Sequence, residues 1–352
     1  MKKSSPYMSY IVLGLPAAAL LCALTIIFVS TLIMGIEYPD PMPKLIVMES
    51  IRCRTVTVRN EDILIPGNKT LAVATLILNK ERFVEEWVAF HIVMGFQFFM
   101  IFDHGSTDQA RTLLSPYIRS GHVILIHARE TFRACGERPP GTQHVQAVCQ
   151  KAVFNYAMQK LKGIIPWMGT FDIDEFVWTH PNKPTVDKLL QSEYSSYSWL
   201  HIPGIVFGHN NISDFLDENK LVILTHTKRS NTAGFMWSKY DEDRYTRKNI
   251  FRTDHAISVG VHSINCACMS EKFLTPLASN IRMNHYRFIS KTEQHKKAIS
   301  NANQHMDSNE ERDAMVNEIE DTEIHYIVPQ LESTVQMFRN TRYADDDDNN
   351  NC

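Results

Sequence analysis

The chain has 352 residues, 44% of them hydrophobic and 21% charged, with a formal net charge of −3. That is enough apolar material for one large folded body. The charge is too balanced for a nucleic-acid partner, whose binders concentrate Lys and Arg.

Residues 11–36 carry no charged side chain over 26 positions. A helix rises about 1.5 Å per residue, so this stretch exceeds the roughly 30 Å hydrocarbon core of a bilayer. Lys2 and Lys3 precede it, and Glu37 and Asp40 follow it. The positive-inside rule then keeps the N-terminus cytosolic. We read residues 1–10 as a cytosolic tail and 11–36 as the signal anchor of a single-pass type II membrane protein. Cleaved signal peptides have apolar cores of only about 7–15 residues, so length favours the anchor. Residues 37–69 hold four prolines and little periodicity, as in a stem. A body beyond the membrane can use its two sequons, Asn68-Lys69-Thr70 and Asn211-Ile212-Ser213, and can pair its cysteines. Which cysteines pair is not legible from spacing.

Residues 70–340 form the main domain. Leu71 to Leu78 is a continuous apolar run, as in a strand buried on both faces. Glu81 to Met94 places apolar residues at helical spacing and ends at Gly95. Gln97 to Phe102 is a second strand, closing on Asp103 to Asp108, where Ser106 or Thr107 is expected to cap a short helix. His122 to His127 is a third strand, Gln146 to Leu161 a helix, and Trp167 to Asp174 a fourth strand. This alternation predicts an α/β fold: a Rossmann-like, mostly parallel central sheet with helices on both faces. Residues 341–352 are low-complexity and acidic, and are expected to be disordered.

In such a sheet, ligands gather at the carboxyl ends of the strands. Polar clusters fall there at Asn79-Lys80-Glu81, at Asp103 to Asp108, and at Asp172-Ile173-Asp174-Glu175. Asp172 and Asp174 end an apolar strand and suit a hard divalent ion, Mn²⁺ or Mg²⁺, which prefers oxygen ligands. Such an ion neutralises the diphosphate leaving a sugar nucleotide. The bland alternative, two solvated acids, weighs about equally on these residues alone. Asp103 and Glu81 could accept hydrogen bonds from a nucleoside, with Asn79 beside them, although Asp and Ser here also suit an ordinary turn. Lys248 or Arg252 could balance diphosphate charge.

Several strings taken together resemble glycosyltransferase family 92. They are Leu78-Asn79-Lys80-Glu81, Glu86-Trp87 with His91, Gly95-Phe96, Asp103-His104-Gly105-Ser106-Thr107-Asp108 and Asp172-Ile173-Asp174-Glu175-Phe176, then Phe207-Gly208, Lys248, Val261-His262 and Asn284-His285-Tyr286-Arg287. The resemblance implies a GT-A fold, an inverting mechanism, a UDP-sugar donor that is most often UDP-galactose, and a β-linked product on a glycan acceptor. It also singles out His285 and His262 as further metal ligands. Two departures are Asn-Lys-Glu where the family has Lys-Asn-Glu, and His104 in place of Asn; neither removes a carboxylate. Inversion needs one general base. Asp214, Asp217, Asp241 and Asp243 lie in the half that would hold the acceptor, and Glu175 is a further choice. Trp167, Trp178 and Trp237 could stack on a sugar or base, with core packing favoured for Trp167. A Golgi membrane location with the catalytic domain in the lumen follows by association with other short-stemmed transferases. The rival readings are a retaining or other-donor transferase and a non-catalytic glycan-binding membrane protein of the same fold.

Overall fold

A computed structural model describes residues 68–136, 143–214, 220–231, 247–267, 270–275, 278–294 and 316–348. The expected anchor, and the expected stem up to residue 67, lie outside these residues. Among the described residues no helix is long and apolar enough to cross a membrane.

The first half follows the alternation read from sequence. Strand β1 (Leu71–Ile77), helix α1 (Glu81–Val93), β2 (Phe98–Asp103), α2 (Ala110–Arg119) and β3 (Val123–His127) come in order. Two single turns, α3 (Ala128–Thr131) and α4 (Arg133–Gly136), precede the 19-residue α5 (Gln143–Leu161) and β4 (Trp167–Thr170). β1, β2 and β3 pair in parallel, and β4 adds to the other side of β1. Side chains alternate between two cores. Leu71, Val73 and Ile77 face the core that holds α1 and α2, whereas Ala72, Ala74 and Leu76 face α5.

Gly95 turns the chain between α1 and β2 with φ +93°, and a Cβ there would meet the Asp187 carboxylate. Helix α2 begins without a Ser or Thr cap. Asp108 Oδ1 accepts the Ala110 N–H instead, and Ser106 Oγ accepts the Asn79 N–H across the loop.

The second half departs from a mostly parallel sheet. The strand expected over 167–174 stops at Thr170, and the chain turns and restarts as β5 (Glu175–Thr179). Past a short helix α6 (Val186–Gln191), β6 (Trp199–Val206) enters the sheet. After a single helical turn α7 (Val222–Thr225) and a two-residue β7 (Lys228–Arg229) comes β8 (Arg247–Arg252), antiparallel to both β4 and β6. A small hairpin of β9 (Ala256–Val259) and β10 (Ile264–Cys266) follows. Then β11 (Glu271–Phe273) pairs with β6, and β12 (Ile281–His285) pairs in parallel with β6 and antiparallel with β5. The nine-stranded sheet therefore has the order β3-β2-β1-β4-β8-β6-β12-β5, with β11 branching from β6, and is mixed.

β6 changes partner midway. Trp199 to Pro203 pair with β8, and Gly204 to Val206 pair with β12. The missing N–H of Pro203 and the bare Cα of Gly204 suit that switch.

A short β13 (Ile319–Glu320), a 3₁₀ turn (Glu323–Ile327) and helix α8 (Val328–Asp348) close the described chain. Leu331, Val335 and Phe338 of α8 enter the α1 core, and Phe338 stacks on Tyr117 at 4.1 Å. The expected disorder from residue 341 is corrected as far as Asp348, where the backbone is still helical. Extending a helix already anchored by packing fixes one residue at a time, without a new nucleus.

Candidate functional site

The sharp turn at residues 171–174 creates the site. The Glu175 N–H donates to Asp172 O at 3.0 Å, and the Asp172 N–H donates to Glu175 Oε2 at 2.8 Å. Ile173 is buried, while Asp172 and Asp174 on either side of it stay partly open. The Tyr286 N–H donates to Asp174 O at 2.8 Å and fixes the turn to the end of β12.

Pairing of β12 with β5 sets His285 opposite Glu175. Its Nε2 stands 3.6 Å from Asp174 Oδ1, and its Nδ1, buried without a hydrogen bond, lies 3.9 Å from Glu175 Oε1. From β8, Lys248 Nζ reaches Asp172 Oδ2 at 2.7 Å and Glu175 Oε2 at 3.2 Å. From α5, Gln150 Nε2 donates to Asp172 Oδ1 at 2.7 Å.

One buried ammonium thus serves two neighbouring carboxyls, Asp172 and Glu175. Burial opposes the charge of Lys248, but Asp172 and Glu175 hold its pKa above the ordinary value. Burial also raises Asp172, yet Lys248 more than offsets this, and the carboxyl sits below its usual range. Glu175 is 1% exposed. Its burial outweighs the pull of Lys248, Asp172 and Asp174 add to the rise, and its pKa is pushed up to about 8. Glu175 is therefore the carboxyl that keeps a proton at neutral pH. Burial lowers His285 to about 4 against the pull of Asp174, leaving a neutral imidazole.

These contacts place several of the residues assigned from sequence. Lys248 is fully buried and bonded to the carboxylates of Asp172 and Glu175, as an internal counter-ion of the turn. Both Asp172 oxygens are taken, by Gln150 and Lys248. The Glu175 side chain is buried. Asn79 and Glu81 stitch the loop after β1 to the loop after β2. Asn79 Oδ1 accepts the Thr107 N–H, Glu81 Oε2 accepts the Gln109 N–H, and the Glu81 N–H donates to Asp108 Oδ2. Their side chains turned to these N–H groups because loops of this length leave several backbone donors without strand partners.

His262 is exposed and donates from Nδ1 to Arg247 O at 2.9 Å, within electrostatic reach of Lys248 and Asp172. Asp214 is exposed. Asp217, Asp241, Asp243 and Trp237 lie outside the described residues. Trp167 and Trp178 are buried, and the Trp178 indole donates to Asn284 Oδ1.

Among the described residues no group of three or more His, Cys, Asp or Glu side chains is placed to hold a metal by itself. The smaller set fits one all the same. A carboxylate oxygen and a neutral imidazole nitrogen 3.6 Å apart suit adjacent ligands on one ion, with the rest of the shell left to phosphate oxygens and water.

A cleft of about 330 Å³ opens at the ends of β2 and β3, lined by Asp103, Gly105, Arg111, His127, Arg129 and Glu130 together with Gly136. Asp103 is buried there. Its Oδ1 accepts the Gly105 and Ser106 N–H groups, and its Oδ2 meets Arg111 Nε at 2.5 Å. Arg111 also reaches His127 at 3.2 Å. Gly105 has φ +94°, and a Cβ on it would crowd the Arg129 side chain at 3.2 Å.

Sequence reasoning missed Arg111, Arg129, Gln150 and the disulfide Cys135–Cys149. The first two follow strand ends and had a positional signal. Gln150 and the disulfide had none, because both depend on how α5 lies against the sheet.

A family model described as glycosyltransferase family 92 matches residues 69–325, about three-quarters of the chain. A family 92 protein of Ricinus communis is 26% identical over 106 residues, 30% of this chain and 16% of its own length. The galactan beta-1,4-galactosyltransferase GALS2 of Arabidopsis thaliana is 29% identical over 125 residues, 34% of this chain and 22% of its own. The matched segments thus span less than a quarter of these relatives. Among solved structures, S. aureus TarS 1-349 in complex with UDP aligns over 68% of this chain and 67% of its own at 12% identity and TM-score 0.34. Glucosyl-3-phosphoglycerate synthase of Mycobacterium tuberculosis, with Mn²⁺ and UDP-glucose, aligns over 40% and 44% at 16% identity and TM-score 0.24. Both likenesses are too distant to bear on mechanism.

Proposed function

Because the chain belongs to glycosyltransferase family 92, we propose that it transfers a sugar from a UDP-sugar to a glycan. The observation that carries this reading is the meeting of β5 and β12. It sets Asp174 and His285 side by side within the family-matched segment.

The cleft beside Asp103 takes the nucleoside end of the donor. Its volume suits a pyrimidine nucleoside, and Arg129 overhangs it. The diphosphate lies toward the acidic turn. Asp174 and His285 would hold a Mn²⁺ or Mg²⁺ ion, which when bound supplies the positive charge that lets a diphosphate leave. Asp172, braced by Gln150 and Lys248, orients the turn so that Asp174 faces the ligand. Glu175, keeping its proton, and neutral His285 lower the charge that the incoming diphosphate must face.

Inversion at the anomeric carbon, UDP-galactose as donor and a β-linked product are carried over from the family resemblance and from the name of the Arabidopsis relative. Glu175, Asp214 and Asp241 are the assignments of the acceptor base to test, with burial of Glu175 favouring the other two. The disulfide supports an oxidising compartment, in keeping with a Golgi-lumen body behind the apolar stretch 11–36.

The test is transfer from UDP-galactose to β-galactan oligosaccharides by the full chain, with Mn²⁺ and with EDTA, reading the product anomer by NMR. Asp174→Asn is expected to lower kcat/KM by about 100-fold or more. Full activity of that variant, or indifference to EDTA, would falsify the metal assignment.

A further inference from the structure

We propose that the Cys135–Cys149 disulfide is a positioning element of the donor site, holding the nucleoside cleft and the acidic turn in one frame. The inference rests on the donor reading above.

The bond lies between the two parts of the site. Cys135 belongs to α4, a single turn of four residues, and α3 before it is equally short. Helices of one turn do not hold themselves together, since they have spent the cost of nucleation without the return from propagation. The wall of the cleft is nevertheless built from this segment. Arg129 and Glu130 come from α3, and Gly136 ends α4. Something rigid must fix it.

Two contacts do so at Cys135. Its carbonyl accepts from His104 Nε2 at 2.8 Å, tying α4 to the residue that follows Asp103. Its sulfur bonds to Cys149 on α5. Helix α5 is the firm partner, for Val153, Phe154, Ala157, Met158 and Leu161 anchor it in the core beneath the sheet. The residue after Cys149 is Gln150, which is itself buried and donates to Asp172. From Asp103 the path runs through His104, Cys135, Cys149 and Gln150 to Asp172. Every link is a covalent bond, a chain neighbour or a hydrogen bond of 2.8 Å or less.

Both cysteines are fully buried, so the bond is shielded and acts as a fixed brace. Cutting it leaves the short helices held to α5 by side-chain packing alone, chiefly Phe132 on Tyr156. The cleft wall and the start of α5 then move more independently, and the two ends of one UDP molecule no longer meet a preset spacing. Misplacement on the scale of 1 Å is enough to weaken a site that must grip two points at once.

The experiment measures UDP affinity by titration calorimetry with Mn²⁺ present, and donor KM and kcat, for the full chain. The variants are Cys135→Ser/Cys149→Ser, Gln150→Leu, the three changes combined, and His104→Phe. Loss of the bond is expected to raise the UDP Kd and donor KM on the order of tenfold, the effect usual when groups that orient a site's ligands are removed. kcat at saturating donor is expected to fall much less. Adding Gln150→Leu to the disulfide-free chain is expected to change little, because the contact has already loosened. A disulfide-free chain that folds and binds UDP as tightly as the wild type overturns the inference. So does full additivity with Gln150→Leu, which would make the bond a stabiliser only. If the double Ser variant does not fold, His104→Phe and Gln150→Leu decide with the bond intact, and unchanged UDP affinity in both overturns it. A wild-type chain that fails to bind UDP at all overturns the donor reading itself, and this inference with it.

Discussion

His91 gives the structure a defined acid weakness. It sits in α1, fully buried, with the rings of Trp87, Phe90, Phe96, Phe171 and Phe176 around it at centroid distances of 4.4–6.1 Å. Its tautomer is set by two partners. Nδ1 donates to Trp87 O at 2.8 Å, and Nε2 accepts the Val177 N–H at 3.2 Å. An imidazolium could not accept that second bond. Burial among the rings therefore depresses its pKa from 6.5 to about 3, with the Trp87 carbonyl pulling weakly the other way. The unfolded chain takes up this proton below pH 6.5, whereas the folded chain refuses it until about pH 3. Stability from His91 is thus complete above pH 6.5 and is lost progressively as pH falls toward 3. One pKa unit corresponds to about 1.4 kcal/mol, so moving from pH 7.5 to pH 5 removes about 2 kcal/mol through this residue alone. Other histidines contribute as well, and a variant isolates the term. Urea unfolding at the two pH values, for wild type and His91→Gln, is expected to show a loss smaller by about 2 kcal/mol in the variant, whatever its stability at pH 7.5. Equal losses in both proteins would refute the reasoning.

Two further outcomes follow from the packing. Lys248→Met leaves the partly open Asp172 without its counter-ion, and is expected to cost about 2 kcal/mol in urea unfolding at pH 7.5, with Lys248→Arg recovering part of it. Helix α8 lies beyond the family-matched segment, yet Phe338 is packed against Tyr117 inside the α1 core. Phe338→Ala is expected to cost about 3 kcal/mol in the same assay, and an effect below about 1 kcal/mol would show α8 to be dispensable.

The sequence by itself determined what local pattern can encode. Apolar runs and helical spacing gave β1, α1, β2, β3 and β4 nearly in place, because alternation and 3.6-residue periodicity record which face of each element is buried. The acidic turn was identified as a string, and the family with it.

The tertiary structure decided how those residues are used. A strand read straight through to Asp174 in fact breaks at Thr170, since Phe171 and Ile173 are buried in a turn as readily as in a strand. Lys248 and Gln150 arrive on Asp172 from β8 and α5, and His285 arrives opposite Glu175 through the register of β12. These partners are 22 to 110 residues apart in sequence from the groups they touch. Pairing over such distances leaves no periodic trace, for it depends on which strand edge is free when the sheet assembles. The same is true of the disulfide, where six cysteines beyond the apolar stretch allow many pairings and only the seat of α5 against the sheet selects Cys135 with Cys149. The carboxylates were written in the chain; which of them is braced by Gln150, which is buried and which meets His285 was settled by the fold.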